Sequence, residues 1–225
     1  MTDNMYVARF SAWALGIGNS DEWNEWALGE REMQPGFASP DISFTGAMFN
    51  RRLSQISKMT IRVVHDLLPI DNDAKAIFLS FRGELSKQYT VNRMVIEDDA
   101  VMPAAFSLSV FNTPIALASM AFGLKGGYTA VYLRYNSFTD GLALAQASLS
   151  FGDNEDLIFV YADENPPQEY SGFFLDKPFC PFAFGVILTR KYNSGFIPLS
   201  QIKEKNTPED FLKNLLLCGK AYAAS

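Results

Sequence analysis

Histidine and cysteine are scarce in this chain of 225 residues, which has one histidine and two cysteines. A single histidine, His65, rules out His-rich metal sites and removes most His-based catalysis. Cys180 and Cys218 have no CxxC spacing, so the sequence offers neither a cysteine-based metal site nor a disulfide scaffold. We therefore expect no bound metal and no cofactor.

Positive charge is also in short supply, because 19 lysines and arginines face 25 acidic residues and the net charge is −6. Nucleic acids and anionic membrane surfaces bind basic footprints, so we expect neither as the main partner. No apolar run approaches the roughly 20 residues of a membrane-spanning helix. The N-terminus shows no basic region followed by an apolar one, as a signal peptide would. These features predict a cytoplasmic protein.

The pattern of apolar residues predicts an α/β fold in which helices cover a layered sheet. Hydrophobic residues make up 48% of the chain and charged residues 20%, the balance of a globular protein. No linker is visible, so we expect one domain over residues 1–225. The predicted strands are Met5–Leu15, Lys75–Phe81, Tyr128–Arg134, Asp156–Ala162 and Phe182–Lys191. The predicted helices are Asn50–Leu68, Gln88–Glu97, Pro103–Phe122 with a kink at Pro114, Thr139–Phe151, and one over residues 207–219 capped by Thr207.

Isolated candidates for chemistry have simpler structural interpretations. His65 falls near the end of a predicted helix, where the helix dipole favours a cation. The stretch Gly123–Gly127 lacks P-loop spacing and precedes a strand, which indicates a turn. The acidic residues around the Asp156 strand are expected to be solvated strand ends: Asp153, Glu155, Asp156, Asp163 and Glu164. The cysteines are expected to be buried small hydrophobes.

A series of motifs in the middle of the chain resembles the amino-terminal half of β-ketoacyl synthases, which have a thiolase-like fold. Their order and spacing carry this resemblance more than any single motif. The motifs are Pro103, Phe106–Asn112, Gly123–Gly126 and Gly152–Asp153.

The resemblance implies a nucleophile elbow directly after the Tyr128–Arg134 strand, where ketosynthases carry a reactive cysteine. Counting from the flanking motifs places that position on Tyr135. A phenol with a pKa of about 10 does not replace a thiolate in acyl transfer. Family members also draw two histidines and a lysine from a second half, for which the sequence after Lys191 leaves little room. We therefore expect the amino-terminal half only, with its core at about 5–192, and no enzymatic activity.

Further motifs resemble the short ketosynthase-like proteins of bacterial aryl-polyene clusters, which are regarded as chain-length factors. The resemblance implies a heterodimer with a full-length β-ketoacyl synthase, whose tunnel this chain would shape, and an acyl carrier protein as a second partner. These motifs are Trp13, Trp23, Trp26, Asn50–Met59 and Phe78–Leu85. The implied tunnel and interface residues are Ala105, Phe106, Ser109, Phe111, Asn112, Ala116, Arg134, Tyr135 and Asn136.

Two alternative functions stay open on the sequence. One is a scaffold that docks the acidic carrier protein without controlling chain length, with Arg51, Arg52 and Lys58 as the basic docking cluster. The other is a hydrolase that uses Ser107 or Ser137, although neither serine lies in a GxSxG motif.

Overall fold

In the computed structural model, which describes residues 5–134, 137–173, 179–203 and 205–223, one mixed sheet organises the chain. Its strand order is β3-β2-β4-β5-β1-β6. β2 pairs in parallel with both β3 and β4, whereas β5 is antiparallel to β4 and to β1. The strands are β1 (Tyr6–Ala14), β2 (Lys75–Ser80), β3 (Tyr128–Tyr132), β4 (Asp156–Asp163), β5 (Phe182–Thr189) and β6 (Ile197–Pro198).

The two central strands explain why the sequence pattern there is continuously apolar rather than alternating. Every residue of β5 is buried, and so is all of β4 after Asp156. Helices cover both faces of the sheet, so neither set of alternate side chains meets water. The five predicted strands are confirmed to within a few residues at their ends, and the two-residue strand β6 was not foreseen.

Helices form one layer on each face of the sheet. Ile56, Val63 and Ile115 pack on one face with Phe78 and Ile158, whereas Phe138, Leu142 and Phe211 pack on the other with Phe159 and Phe184. The helices are α1 (Ser20–Leu28), α2 (Ala47–Asn50), α3 (Gln55–Asp66), α4 (Leu85–Asp98), α5 (Pro103–Ser107), α6 (Thr113–Phe122), α7 (Phe138–Phe151) and α8 (Pro208–Ala223). Single 3-10 turns occupy Gln168–Phe173 and Leu199–Gln201.

Two of the predicted helices are each split in two. The helix expected over Asn50–Leu68 is α2 and α3, because Ser54 starts a new helix by accepting the Ser57 N–H at 3.1 Å. The helix expected over Pro103–Phe122 is α5 and α6, since Pro114 lies in the first turn of α6, where proline is favoured, rather than at a kink. The Thr207 cap of α8 is confirmed, with its hydroxyl oxygen 3.0 Å from the Asp210 N–H.

Candidate functional site

The carboxyl ends of β2, β3 and β4 meet at one edge of the sheet, which is where α/β folds place their sites. The Leu133 N–H donates to the Ser80 carbonyl at 2.9 Å, which holds the chain leaving β3 against the end of β2. The Arg134 N–H donates to Ser137 Oγ at 2.7 Å, and Ser137 directly precedes Phe138, the first residue of α7. We call β3 and α7, the strand and the helix that flank the expected elbow, the elbow frame. Tyr135 and Asn136, assigned to that elbow, lie outside the described residues.

Asp163, the last residue of β4, is a buried hydrogen-bond acceptor beneath this frame. Its carboxylate accepts from Ser80 Oγ at 2.7 Å, from Tyr161 Oη at 2.8 Å and from the Arg82 N–H at 3.1 Å. Burial raises the pKa of Asp163, and the charge of Arg82 together with these donors opposes the rise. The carboxylate therefore locks the β2–α4 loop onto the end of β4.

Glu164, the next residue, caps two helices at once. Its Oε2 accepts from the Ile56 N–H at 3.3 Å, and its Oε1 accepts from the Ser86 N–H at 2.9 Å. These amides are the second residues of α3 and α4, and such first-turn N–H groups have no acceptor within their own helix. A single side chain thus joins the N-termini of α3 and α4 to β4.

Glu84 completes this set of buried acids at the start of α4. Its Oε1 accepts from Ser54 Oγ at 2.8 Å and from Ser57 Oγ at 2.5 Å, whereas its Oε2 is buried with no hydrogen-bond partner among the described residues. Burial, then the nearby charge of Glu164, raises the pKa of Glu84 to about 8, against the opposing effect of the two hydroxyls and Lys87. Glu84 is therefore protonated at neutral pH.

These acids correct one prediction and add a residue that the sequence analysis missed. Asp163 and Glu164 were expected to be solvated strand ends and are buried, whereas Asp153 and Glu155 are exposed as expected. The sequence did contain a signal for their burial, because both acids directly follow the apolar residues of the predicted strand with no turn residue in between. Glu84 gave a weaker signal, as an acid following Gly83 at the end of a buried strand.

The residues assigned to the tunnel and interface do not all share one surface. Phe106 is exposed and Ala105 and Ala116 are half-buried. Ser109 is only 5% exposed, and its hydroxyl donates to the Phe106 carbonyl at 2.9 Å. Ser109 therefore packs within its own chain, whereas on α5 only Ala105 among the described residues is half-buried and the other residues are exposed.

Phe111 and Asn112 connect the α5–α6 turn to the sheet edge. The Phe111 ring lies 6.2 Å from that of Phe78 and 6.1 Å from that of Tyr132, and it covers Gly83 so closely that a Cβ there would lie 2.5 Å from the ring. Asn112 Nδ2 donates to Tyr128 Oη at 3.0 Å. The turn is thereby anchored to the first and last residues of β3.

β3 is an edge strand that presents aromatic side chains. Its one sheet neighbour among the described strands is β2, so its outer backbone edge has no partner strand in the described part of the chain. Tyr128 is exposed and Tyr132 is 65% exposed. Open edges of this kind are templates for pairing with another strand.

The basic cluster assigned to carrier docking lies at the same end of the molecule. Arg51 and Arg52 are exposed in the turn before α3, and Lys58 is half-buried one turn into that helix. The N-terminus of α3 is the end capped by Glu164. The three cations therefore lie near the helix N-terminus that Glu164 joins to the end of β4.

The nucleophile and base candidates are not assembled into a catalytic group. His65 stacks on Phe44 at 3.8 Å near the C-terminus of α3, the end of that helix away from Glu164. Ser107 Oγ donates to the Pro103 carbonyl within α5. Cys180 and Cys218 are half-buried rather than buried, and burial raises the pKa of both thiols. Neither cysteine is a reactive thiolate at neutral pH.

No set of three or more histidine, cysteine, aspartate or glutamate side chains in the described ranges is arranged to hold a metal ion. None of the helices described is both long and apolar enough to span a membrane.

The mixed sheet, covered by helices on both faces, defines a thiolase-like ketosynthase fold. Residues 23–214 match the family described as Beta-ketoacyl synthase, N-terminal domain. The chain belongs to this family. No curated protein matches its sequence significantly.

Solved structures confirm the fold at low sequence identity. A chain of the ketosynthase (ApeO) in complex with its chain length factor (ApeC) from Xenorhabdus doucetiae superposes with a TM-score of 0.73 at 19% identity, over 95% of this chain and 91% of that one. The ishigamide ketosynthase/chain length factor gives 0.68 at 12% identity, over 83% of this chain and 62% of that one. A complex of a type II polyketide acyl-carrier protein with its ketosynthase (AntDE:AntF) gives 0.62 at 14% identity, over 84% and 64%.

Proposed function

We propose that this chain is a non-catalytic chain length factor, which pairs in the cytoplasm with a full-length β-ketoacyl synthase and shapes the tunnel for its acyl or polyene chain. The observation that carries the proposal is the exposed edge strand β3, which leads into the elbow frame and displays Tyr128 and Tyr132. Such an edge is completed by a strand from another subunit. The similar structures whose titles name ketosynthase and chain length factor together support the same pairing.

The non-catalytic part of the proposal rests on the chemistry available at the elbow. The position that corresponds to the ketosynthase cysteine is Tyr135 in the sequence. Cys180 lies in the connection before β5, where its thiol contacts the Met33 carbonyl at 3.3 Å, and Cys218 lies on α8. Both thiols have raised pKa values, so neither supplies a thiolate to replace the missing one.

The tunnel-shaping part rests on α5, which precedes the elbow in the chain and is exposed. Ala105 and Phe106 follow Pro103 on this short helix, and the Phe111 contacts fix the turn that follows it against β3. A small side chain at an interface helix leaves depth in a neighbouring cavity, whereas an aromatic one fills it. Each methylene of acyl chain that loses its burial costs about 0.8 kcal/mol, so a shortened cavity shifts the preferred product length.

Co-expression with a full-length β-ketoacyl synthase of the same biosynthetic type tests the proposal. We expect a one-to-one complex by size-exclusion chromatography with light scattering, and elongation of malonyl-loaded carrier by the complex. Ala105→Phe should shorten the products, and Ala147→Phe, at an exposed position on α7, is the matched control. Elongation by this chain purified alone, or absence of a complex, would contradict the proposal.

The second candidate function, carrier docking without length control, is favoured by Arg51, Arg52 and Lys58, which lie near the N-terminus of α3. Acidic carrier proteins are attracted to such clusters. Titration of the complex with carrier protein separates the two functions. If Arg51→Glu abolishes carrier binding while Ala105→Phe leaves product length unchanged, the chain is a docking subunit.

A further inference from the structure

The chain segment from residue 92 to residue 107 is itself almost entirely exposed on the surface of the protein. It comprises the second half of α4, the turn that follows, and α5, and none of its side chains is buried. α4 itself has one buried residue, Val91. An ordinary surface helix buries one apolar stripe, so α4 contributes little to the core of its own chain.

This segment is nevertheless apolar. Ile96 is 81% exposed, and further hydrophobic side chains follow in the turn and in α5. A continuous uncovered stretch of this kind is characteristic of an interaction surface, since isolated soluble proteins avoid large exposed apolar patches. The exposed apolar side chains are Val95, Ile96, Val101, Met102 and Phe106.

Apart from Arg93, the charged residues of this segment are acidic, and they lie at the end of α4 where acids are unfavourable. Glu97, Asp98 and Asp99 occupy the C-terminus of α4, where the helix dipole disfavours acids, and no basic residue lies in the last turn. Arg93 neutralises Glu97 through two contacts of 2.9 and 2.8 Å. Asp98 and Asp99 have no described ion pair, and Asp99 ends the helix in a left-handed conformation with φ of 48°.

We propose that residues 92–107 form a docking arm that binds an apolar surface rimmed by lysine or arginine on the ketosynthase subunit, and that its acidic residues select this partner over a second copy of the chain. The inference rests on the proposed function and names the partner surface. The arm ends in α5 and is therefore continuous with the interface proposed there and at β3.

Charge decides between the two candidate occupants. A second copy carries the same net charge of −6, and its own arm presents the same uncompensated acids. Like charges brought together at an interface are strongly unfavourable, whereas a basic rim is attracted and accelerates association. The adverse acids at the end of α4 then act against self-association.

The experiment measures the affinity of the purified chain for the full-length ketosynthase by biolayer interferometry, alongside its own oligomeric state. Ile96→Ser/Met102→Ser removes apolar contacts, and Met48→Ser is the matched control because Met48 is 82% exposed on α2, outside the arm. Asp98→Lys reverses an arm charge, and Asp153→Lys, at an exposed position outside the arm, is its control. Circular dichroism verifies that each variant is folded; all of these positions are exposed.

We expect the double serine variant to raise Kd at least tenfold, and Asp98→Lys to raise Kd and weaken its salt dependence, with both controls unchanged. If the wild-type chain binds the ketosynthase and the arm variants bind equally well, the docking role of residues 92–107 is refuted, while the proposed pairing of the two proteins stands. If the wild-type chain does not bind at all, the proposed function fails. A wild-type homodimer that the serine variant dissociates would overturn the choice of partner.

Discussion

Replacing Glu84 by glutamine should remove a pH dependence that this one side chain imposes on folding. In the folded chain Glu84 is enclosed by Ser54, Ser57 and the Glu164 carboxylate, and its pKa is raised to about 8. In the unfolded chain the same carboxyl has its ordinary pKa of 4.5. Between these two values the folded state retains a proton that the unfolded state releases.

The sign and size of the effect follow from this difference in bound protons. Because the unfolded state binds fewer protons than the folded state, the free energy of unfolding falls as the pH rises from 4.5 to 8. At 1.36 kcal/mol for each pH unit, Glu84 alone lowers it by roughly 5 kcal/mol over that interval. Glutamine keeps an acceptor for the two serine hydroxyls and does not titrate.

Urea denaturation of the wild-type and Glu84→Gln proteins at intervals between pH 4.5 and 8.5 measures this effect. We expect the glutamine variant to gain stability relative to wild type steadily across the interval, reaching several kcal/mol at pH 8. Burial also raises the pKa of Asp163, Glu164 and Glu209, but these groups are present in both proteins and cancel in the difference. Parallel curves for the two proteins would refute a buried, protonated Glu84, and Glu30→Gln, at an exposed acid, controls for surface charge.

Three further predictions concern the Glu164 cap, Gly83 and the two cysteines. Glu164→Ala leaves the Ile56 and Ser86 N–H groups without their acceptor, so we expect a loss of about 2–3 kcal/mol in urea denaturation, and a loss below 0.5 kcal/mol would contradict the double cap. Gly83→Ala should cost about 1–3 kcal/mol because its φ is 59° and the new Cβ meets Phe111; in a double-mutant cycle Phe111→Leu should recover part of the cost, and strict additivity would exclude the contact. Burial raises the pKa of both cysteine thiols, so at pH 7.5 they should react with a disulfide reagent several times more slowly in the folded chain than in urea, and equal rates would contradict their burial.

Local sequence signals were sufficient for most of the sheet. β4 and β5 are buried on both faces, so their sequences are uninterrupted apolar runs that are hard to mistake. The turn at Gly123–Gly127 was also predictable, because three glycines in five residues indicate a turn. The structure uses each of them: Gly123 and Gly127 have positive φ, and Gly126 lies against the backbone of Asp73 and Ala74. Helix boundaries were less accessible, since the break before Ser54 depends on a cap that pattern alone does not reveal.

The buried acids could not be derived from local sequence. Glu164 is stabilised by N–H groups of α3 and α4, which are far from it in the chain and converge only when the sheet forms. The exposure of residues 92–107 was hidden for the opposite reason. Apolar residues at helical spacing ordinarily indicate a core, and the sequence does not reveal that none of the described segments covers them.

The open edge of β3 has a consequence for the amount of this protein that can accumulate in a cell without aggregating. A strand with unpaired backbone groups and exposed tyrosines pairs readily with any other exposed strand, including that of a misfolded neighbour. With the ketosynthase subunit proposed above as the cover of β3, every molecule made in excess of that subunit would carry this liability. Balanced synthesis of the two subunits would therefore protect against aggregation, and the surplus chains would be the ones removed by proteases.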